Sequence, residues 1–411
     1  MIAIVGGGLA GLACALELRR FSKEFVLFEA ASVMGGRQRT TRRDGFTLDH
    51  GFQVVLSSYG AVASVCNIAS LRPCWFESGA LLHDGQRLTH LASPFENPIS
   101  ALISPAFSIP DKLRLARLGA MLLLTPTDQL VARCASVRDV PTRAFLKQRG
   151  FSESFFACFA QPFFGGVLLD NELSTSAGLF LYYLKKFLTG RAWIPAAGIQ
   201  ALPDSLAAQL PSSAIHLNTR VAAISHEPHG LVLENGDTIR ADKIILALDE
   251  PSLCQLLRLP APAPAHGVSV VYFKTKKSLY QKRCLVLPEG ARRRVRHFVQ
   301  ITNIAPEFAP PGWHLISATV LEGSGLSTSQ LAEEAAREIA GVFPQAAGAL
   351  EHLETIHVPY AVPSQPPGFA ARNAFPDLPE NVYACGDWER GASIQAALQS
   401  GIETAKRILC G

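Results

Sequence analysis

The sequence has no apolar run of the roughly 18 residues needed to cross a bilayer. Its greasiest helix candidate, around Leu113 to Leu124, is interrupted by Lys112, Arg114 and Arg117 and stopped by Pro126. No C-x-x-C pair occurs among the nine scattered cysteines, Cys14, Cys66, Cys74, Cys134, Cys158, Cys254, Cys284, Cys385 and Cys410. Their odd number and lack of pattern argue against a disulfide framework or a zinc site and favour a reducing cytosol, so no metal is expected. Charge is sparse: 18% of residues are charged, with a formal net charge of +4. A nucleic-acid binder normally carries a denser basic face, so no nucleic-acid partner is expected. The apolar N-terminus lacks a basic n-region, and three consecutive glycines interrupt it, so it does not read as a signal peptide. Internal repeats and low-complexity stretches are absent too. Hydrophobic residues make up 48% of the 411. That is enough for a large core, in a chain longer than one core usually supports, and two interleaved domains are expected.

What is present begins at the first residues. Met1–Val5 reads as a buried strand, Gly6–Gly11 as a turn, Leu9–Arg20 as a helix ending in two arginines, and Phe25–Phe28 as a second strand. This is one βαβ unit. Gly6-Gly7-Gly8-Leu9-Ala10-Gly11 satisfies G-x-G-x-x-G. The first glycine permits the turn, the second lets the backbone approach a pyrophosphate, and the third lets helix and strand pack closely. The N–H groups of Leu9 and Ala10 then open a helix towards the anion. Glu29 follows Gly11 by eighteen residues, beside Ala30, where a carboxylate would accept hydrogen bonds from a ribose diol and disfavour a 2′-phosphate. Gly35-Gly36-Arg37-Gln38-Arg39-Thr40 comes next, with Arg37 suited to a phosphate.

The runs V-G-G-G-L-A-G-L, F-E-A and G-G-R-Q-R-T resemble the superfamily of flavin amine oxidases, protoporphyrinogen oxidases and phytoene desaturases. Asp49-His50-Gly51-Phe52 is similar to its D-x-G element, which implies that Gly51 and Phe52 approach a flavin. Ile194–Ile199 resembles its P-x-G-G-M stretch with Ala197 in place of a glycine. Asn218-Thr219-Arg220-Val221 resembles the strand whose valine backbone pairs with adenine. Val382–Asp387 resembles the closing G-D, which implies that Gly386 and Asp387 lie at the ribityl and pyrophosphate end. Gly391–Gly401 resembles the helix start that places Ser393 and Ile394 at the flavin pyrimidine. Ala396 stands where glycine is common.

The resemblance implies an α/β fold: a Rossmann-like FAD-binding domain of the glutathione reductase type, with an inserted α+β substrate domain. Residues 1–70, 191–250 and 360–411 are expected to form the first, and 71–190, read mainly as helices, and 251–359 the second. Ala214–Leu217, Val221–Ser225 and Leu231–Glu234 are expected to form a meander with a turn at Asn235-Gly236. A single glycine motif implies no separate nicotinamide site. FAD is expected to be held non-covalently, because Cys385 falls too early to match the family's flavin-linking cysteine.

The expected activity is two-electron desaturation or dehydrogenation of a hydrophobic, isoprenoid- or carotenoid-like compound by hydride transfer to flavin N5. Val268 falls where monoamine oxidases carry a flavin-facing lysine, and Ser393 where they carry a cage tyrosine, which argues against a simple amine. Residues 145–203 favour a greasy substrate, and Phe151–Phe164 alone holds six phenylalanines. Most of these are expected to be core, with a subset lining a tunnel. The open alternatives are a redox-neutral flavin isomerase, an amine or protoporphyrinogen oxidase, and a flavin-holding protein without turnover. No catalytic residue is assigned; His50 is the histidine nearest the expected flavin face, and a structural role suits it better than catalysis. Lys276, Lys277, Lys282, Arg283, Arg292, Arg293, Arg294 and Arg296 form a basic stretch that suits either solvent or anionic lipid headgroups. A cytoplasmic protein with peripheral membrane contact left open is the expected setting.

Overall fold

Four short apolar runs and one two-residue edge strand, far apart in sequence, meet in one parallel sheet in the computed structural model of the chain. The structure describes residues 1–92, 104–260, 264–290, 293–321, 325–371, 375 and 378–410. The strand order is Ile215–His216, Phe25–Phe28, Ile2–Val5, Lys243–Leu246 and Val382–Ala384, with every neighbour parallel. Strands covered on both faces need apolar residues at every position, which is why these runs do not alternate. Helices Leu9–Arg20 and Ile394–Cys410 lie against each other over this sheet. Gly401 permits the close crossing: a Cβ added there would stand 2.0 Å from the Ala10 carbonyl oxygen.

The expected meander is corrected at both ends. Ile215–His216 joins the parallel sheet beside Phe25–Phe28. The three-stranded unit is instead Val221–His226, His229–Leu233 and Thr238–Arg240, with Asn235-Gly236 between its last two strands. Periodicity alone could not separate the short run at Ile215 from the strands after it.

A seven-stranded sheet runs in the order Glu351–Pro363, Ala265–Thr275, His314–Leu321, Val295–Gln300, Leu285–Pro288, Gly79–His83 and Leu88–Ala92. Its last two strands come from the stretch read mainly as helical. The same stretch also holds the strand Pro73–Trp75 and, among its described residues, the helices Ile109–Leu124, Thr127–Arg133, Thr142–Gln148 and Ala177–Thr189, with a π-helix at Phe156–Phe164. Pro162 lies inside the wide turns of the π-helix, where its missing N–H breaks the ordinary helical ladder. Phe145, Phe151, Phe155, Phe156, Phe164 and Phe180 are buried in one cluster, so most of the aromatic stretch is core, as expected. Among the described residues no helix is long and apolar enough to cross a membrane.

Candidate functional site

A cavity of about 500 Å³ opens where the parallel sheet, the C-terminal helix and the seven-stranded sheet meet. The glycine turn forms one end. Gly6 has φ +107°, and a Cβ on Gly11 would stand 2.0 Å from the Gly6 carbonyl oxygen, so helix and turn pack directly on each other. A Cβ on Gly8, by contrast, would meet nothing within 4 Å and faces open space. Gly8 N-caps the helix without a side-chain hydrogen bond, and the first turn holds no acid. The turn therefore offers an anion a cradle of backbone N–H groups that no side chain fills.

Glu29 stands beside this cradle. Its Oε2 accepts from the Gly7 N–H at 2.7 Å and its Oε1 from the Ala31 N–H at 2.8 Å. Both bonds fix the carboxylate at the cavity edge. Arg37 crosses from the first segment to the last: its Nη2 donates to Asp387 Oδ1 at 2.5 Å and its Nη1 to the Ala361 carbonyl at 2.8 Å. Burial works against the charge of Arg37, yet the Asp387 carboxylate outweighs it and holds the guanidinium above its ordinary value. A second helix start arrives here: Ser393 Oγ accepts from the Ala396 N–H at 3.1 Å, and Ser393 and Ile394 line the cavity. Two helix N-termini thus converge on one space, each with its positive dipole end inward.

The cavity wall includes Gly6, Gly8, Leu9, Ala10, Glu29, Gly36, Arg37, Gly51, Phe52, Gly386, Asp387, Ser393 and Ile394. Three expected residues do not line it. Gly11 lies behind the turn, as its packing role requires. Ala30 is exposed. Val221 sits in the meander, although nearby Thr219 donates its N–H to the Glu29 carbonyl at 2.9 Å. Cys385 is buried in the core under the C-terminal helix, away from the wall, and burial pushes its thiol up to about 12.

The Ile194–Ile199 stretch shapes the site from behind. Gly198 has φ +92°, and a Cβ there would crowd Thr40 Oγ1 at 2.6 Å. Asp49 Oδ1 accepts from Thr40 Oγ1 at 2.6 Å and from the Ile199 N–H at 2.9 Å. Burial nevertheless raises Asp49 to about 6. Ala197, the departure from the family pattern, is exposed and needs no positive φ, so glycine is not required there.

Away from the glycine turn apolar residues predominate in the wall, Val54, Tyr59, Val167, Leu168, Phe187 and Val268 among them, beside the uncharged polar Gln53 and Thr319. Tyr183 and Phe187 are the aromatic side chains of residues 145–203 that reach it among the described residues. His50 lines the cavity with its Nε2 paired to Thr41 Oγ1 at 2.8 Å, a structural bond, and burial lowers its pKa. His297 was not legible as a site residue. It comes from the strand Val295–Gln300, its Nε2 pairs with Thr319 Oγ1 at 2.9 Å, and its ring meets Phe52 at 5.1 Å. Burial lowers it to about 4, so the imidazole is neutral. A Cβ on Gly166 would stand 2.3 Å from its Nδ1. The signal that could have found it was the glycine pair Gly165-Gly166, which marks a close approach of something bulky.

The family model of flavin containing amine oxidoreductases matches residues 9–409. Coproporphyrinogen III oxidase from Propionibacterium freudenreichii subsp. freudenreichii is 23% identical over 341 residues, 66% of this chain and 61% of that one. The match thus spans less than two thirds of that relative. A 4,4'-diapophytoene desaturase of Staphylococcus aureus (strain bovine RF122 / ET3-1) is 36% identical over 67 residues, 16% of this chain and 13% of the desaturase. In structure, a protein from Exiguobacterium sp. 255-15 assigned as a protoporphyrinogen oxidase superposes with a TM-score of 0.73 at 20% identity, covering 99% of this chain and 98% of the other. That likeness concerns the fold.

Proposed function

Because the chain belongs to the flavin containing amine oxidoreductase family, with FAD as its cofactor, we propose that it oxidises a hydrophobic, isoprenoid- or carotenoid-like substrate by two electrons. The bound flavin supplies the hydride acceptor for such a desaturation or dehydrogenation. The cradle at Gly8, the fixed carboxylate of Glu29 and the Arg37–Asp387 pair suit the dinucleotide part of FAD. Ser393 and Ile394 suit the flavin end. The parallel sheet fits a glutathione reductase-type domain made of residues 1–70, 191–250 and 360–411. Residues 71–190 and 251–359 then form the α+β substrate domain.

The character of the remaining wall carries the substrate reading. The charged residues of the cavity, Glu29, Arg37, Asp249 and Asp387, belong to the glycine-turn side. Asp249 is close enough to Arg37 to raise its pKa. The wall around Val167, Leu168, Phe187 and Val268 offers no carboxylate to an ammonium group, and an unpaired charge there would lose its hydration uncompensated. Neutral His297 adds no charge. A pocket of this kind excludes water and orients a hydrocarbon, while the electrons go to the cofactor.

The test is anaerobic. Purified holoenzyme is mixed with a panel of polyenes, isoprenoids and amines, and flavin absorbance is followed. The proposal expects bleaching by members of the first two classes and none by amines. Bleaching by amines alone would overturn it. A bound flavin that nothing bleaches would favour a redox-neutral isomerase or a binding protein, which added dithionite and product analysis would separate. Porphyrinogen oxidation is a second reading, favoured by the 66% of the chain that matches coproporphyrinogen III oxidase; a porphyrinogen added to the same panel tests it.

A further inference from the structure

The helix Ile109–Leu124 buries one face and leaves the other bare. Leu118 and Leu122 enter the phenylalanine-rich core. On the opposite side Ile109, Leu113, Ala116, Ala120, Leu123 and Leu124 recur at spacings of three and four and are exposed, so they form one stripe along the helix. Ile109 is 73% exposed, Leu113 66% and Leu124 85%. Single exposed leucines are common on soluble proteins, but a continuous apolar stripe marks a surface made for an apolar partner.

A basic cluster adjoins this stripe through Arg117. Arg117 stands on the same side of the helix, one turn after Leu113 and two turns before Leu124. Arg133 and Arg149 both lie over the Phe145 ring, their guanidinium carbons 5.3 and 3.6 Å from its centroid. Burial, then Arg133 and Arg117, hold the Arg149 guanidinium below its ordinary value. Among the described residues none of the three has an ion pair; Asp111 is engaged with Arg114 and Glu153 with Lys147, while Asp128, four residues after Leu124, is exposed at the start of the next helix. The basic stretch singled out in the sequence is different. Lys282 and Arg283 pair with Glu77, Arg294 pairs with Glu334, Arg296 is buried, and Arg292 lies outside the described residues.

We propose that the Ile109–Leu124 stripe and the cluster of Arg117, Arg133 and Arg149 dock the enzyme on an anionic lipid bilayer. The leucines enter the boundary between headgroups and acyl chains, and the guanidinium groups take lipid phosphates. Charge complementarity selects this occupant: three unpaired arginines beside an apolar strip match the layered chemistry of a bilayer better than a uniformly apolar protein face. The buried side of the same helix belongs to the cluster that contains Phe164 and Phe180. Gly166, Val167 and Leu168, which follow Phe164, line the cavity. The docked surface therefore lies on the helical layer that walls the site. Docking does not depend on which substrate is oxidised.

Holoenzyme is sedimented with vesicles of phosphatidylcholine alone or mixed with phosphatidylglycerol. Wild type should pellet with the mixed vesicles and release when salt is raised. The double variant Leu113→Glu/Leu124→Glu should bind about tenfold more weakly or worse. Arg117→Glu should lose more than about fivefold, the worth of one basic side chain near an anionic surface, because the new acid also repels it. Lys277→Glu, in the other basic stretch, should bind like wild type. All variants should keep wild-type flavin absorbance and thermal midpoint, because the altered side chains are exposed; Leu113→Ser/Leu124→Ser replaces any variant that does not. The proposal falls if wild type stays in the supernatant with mixed vesicles, or if the leucine and arginine variants pellet unchanged. It also falls if gel filtration shows a dimer that Leu113→Glu/Leu124→Glu converts to monomer without any vesicle binding, since the stripe would then be an interface between copies.

Discussion

Arg37 and Asp387, 350 positions apart, form a 2.5 Å hydrogen-bonded ion pair at the edge of the cavity. The pair joins the first glycine-rich segment to the last one, and Arg37 also reaches the backbone of the strand Glu351–Pro363 at Ala361. Three distant parts of the chain are therefore held at one guanidinium.

Removing that guanidinium should leave the buried Asp387 carboxylate without its partner. Arg37→Ala is expected to cost about 3 kcal/mol of stability, the usual scale for an orphaned buried charge. Flavin content should fall as well. Arg37→Lys should be intermediate, because an ammonium cannot reach both Asp387 and Ala361 with a planar fork. Urea unfolding and the ratio of flavin to protein absorbance check both variants.

Two glycines of the motif, Gly11 and Gly8, should respond differently to the same methyl group. Gly11→Ala places a Cβ against the Gly6 carbonyl, a backbone atom that cannot step aside. It should destabilise the apo-protein and, with it, lower flavin content. Gly8→Ala places its methyl in open space facing the cavity. It should leave the apo-protein melting temperature unchanged and weaken FAD binding by about tenfold, the cost of a lost charge-assisted hydrogen bond. Thermal unfolding without cofactor, followed by FAD titration, separates the two effects.

Asp49 and His297 should give stability slopes of opposite sign over nearly the same pH window. Asp49 is raised from its ordinary value of 3.8 to about 6 by burial, so the folded state holds its proton more tightly than the unfolded state. Its contribution is complete below about 4 and is lost as pH rises to about 6. His297 is lowered from 6.5 to about 4, so the unfolded state holds that proton more tightly. Its contribution is present above 6.5 and is lost as pH falls to about 4. Asp49→Asn, which keeps an acceptor for the Ile199 N–H, should raise the urea midpoint more at pH 7 than at pH 4. His297→Gln should weaken the fall in stability between pH 6.5 and pH 4.

A neutral His297 also makes a spectroscopic prediction. Its ring resonances should stay unshifted between pH 5 and 8. Proton–nitrogen correlation spectra of labelled protein read this directly. A His297 resonance that moves with a midpoint near 6.5 would contradict the burial argument.

Much of the glycine-turn end of the cavity was legible because backbone chemistry writes itself into residue type. A turn with φ +107° at Gly6 and an approach of 2.0 Å behind Gly11 admit only glycine, so both leave a mark in sequence. Glu29 was readable because one βα turn and one helix set its distance from the glycines. Strands buried on both faces announced themselves as apolar runs, and Asn235-Gly236 announced its turn. The short strand at Ile215 did not, because a two-residue strand has no period to measure.

What the sequence by itself determined is therefore the local chemistry: a glycine turn, an acid at the end of the next strand, an aromatic-rich helical stretch. Only the tertiary structure decided which of these meet. His297 belongs to a strand of ordinary composition, and it became a neutral wall of the cavity because folding stripped it of water and set Gly166 against it. The segment around Leu113 to Leu124 likewise read only as a greasy helix interrupted by basic residues until packing used Leu118 and Leu122 and left the other side exposed. Burial and long-range pairing depend on where the rest of the chain lies, and no local pattern of residues records that.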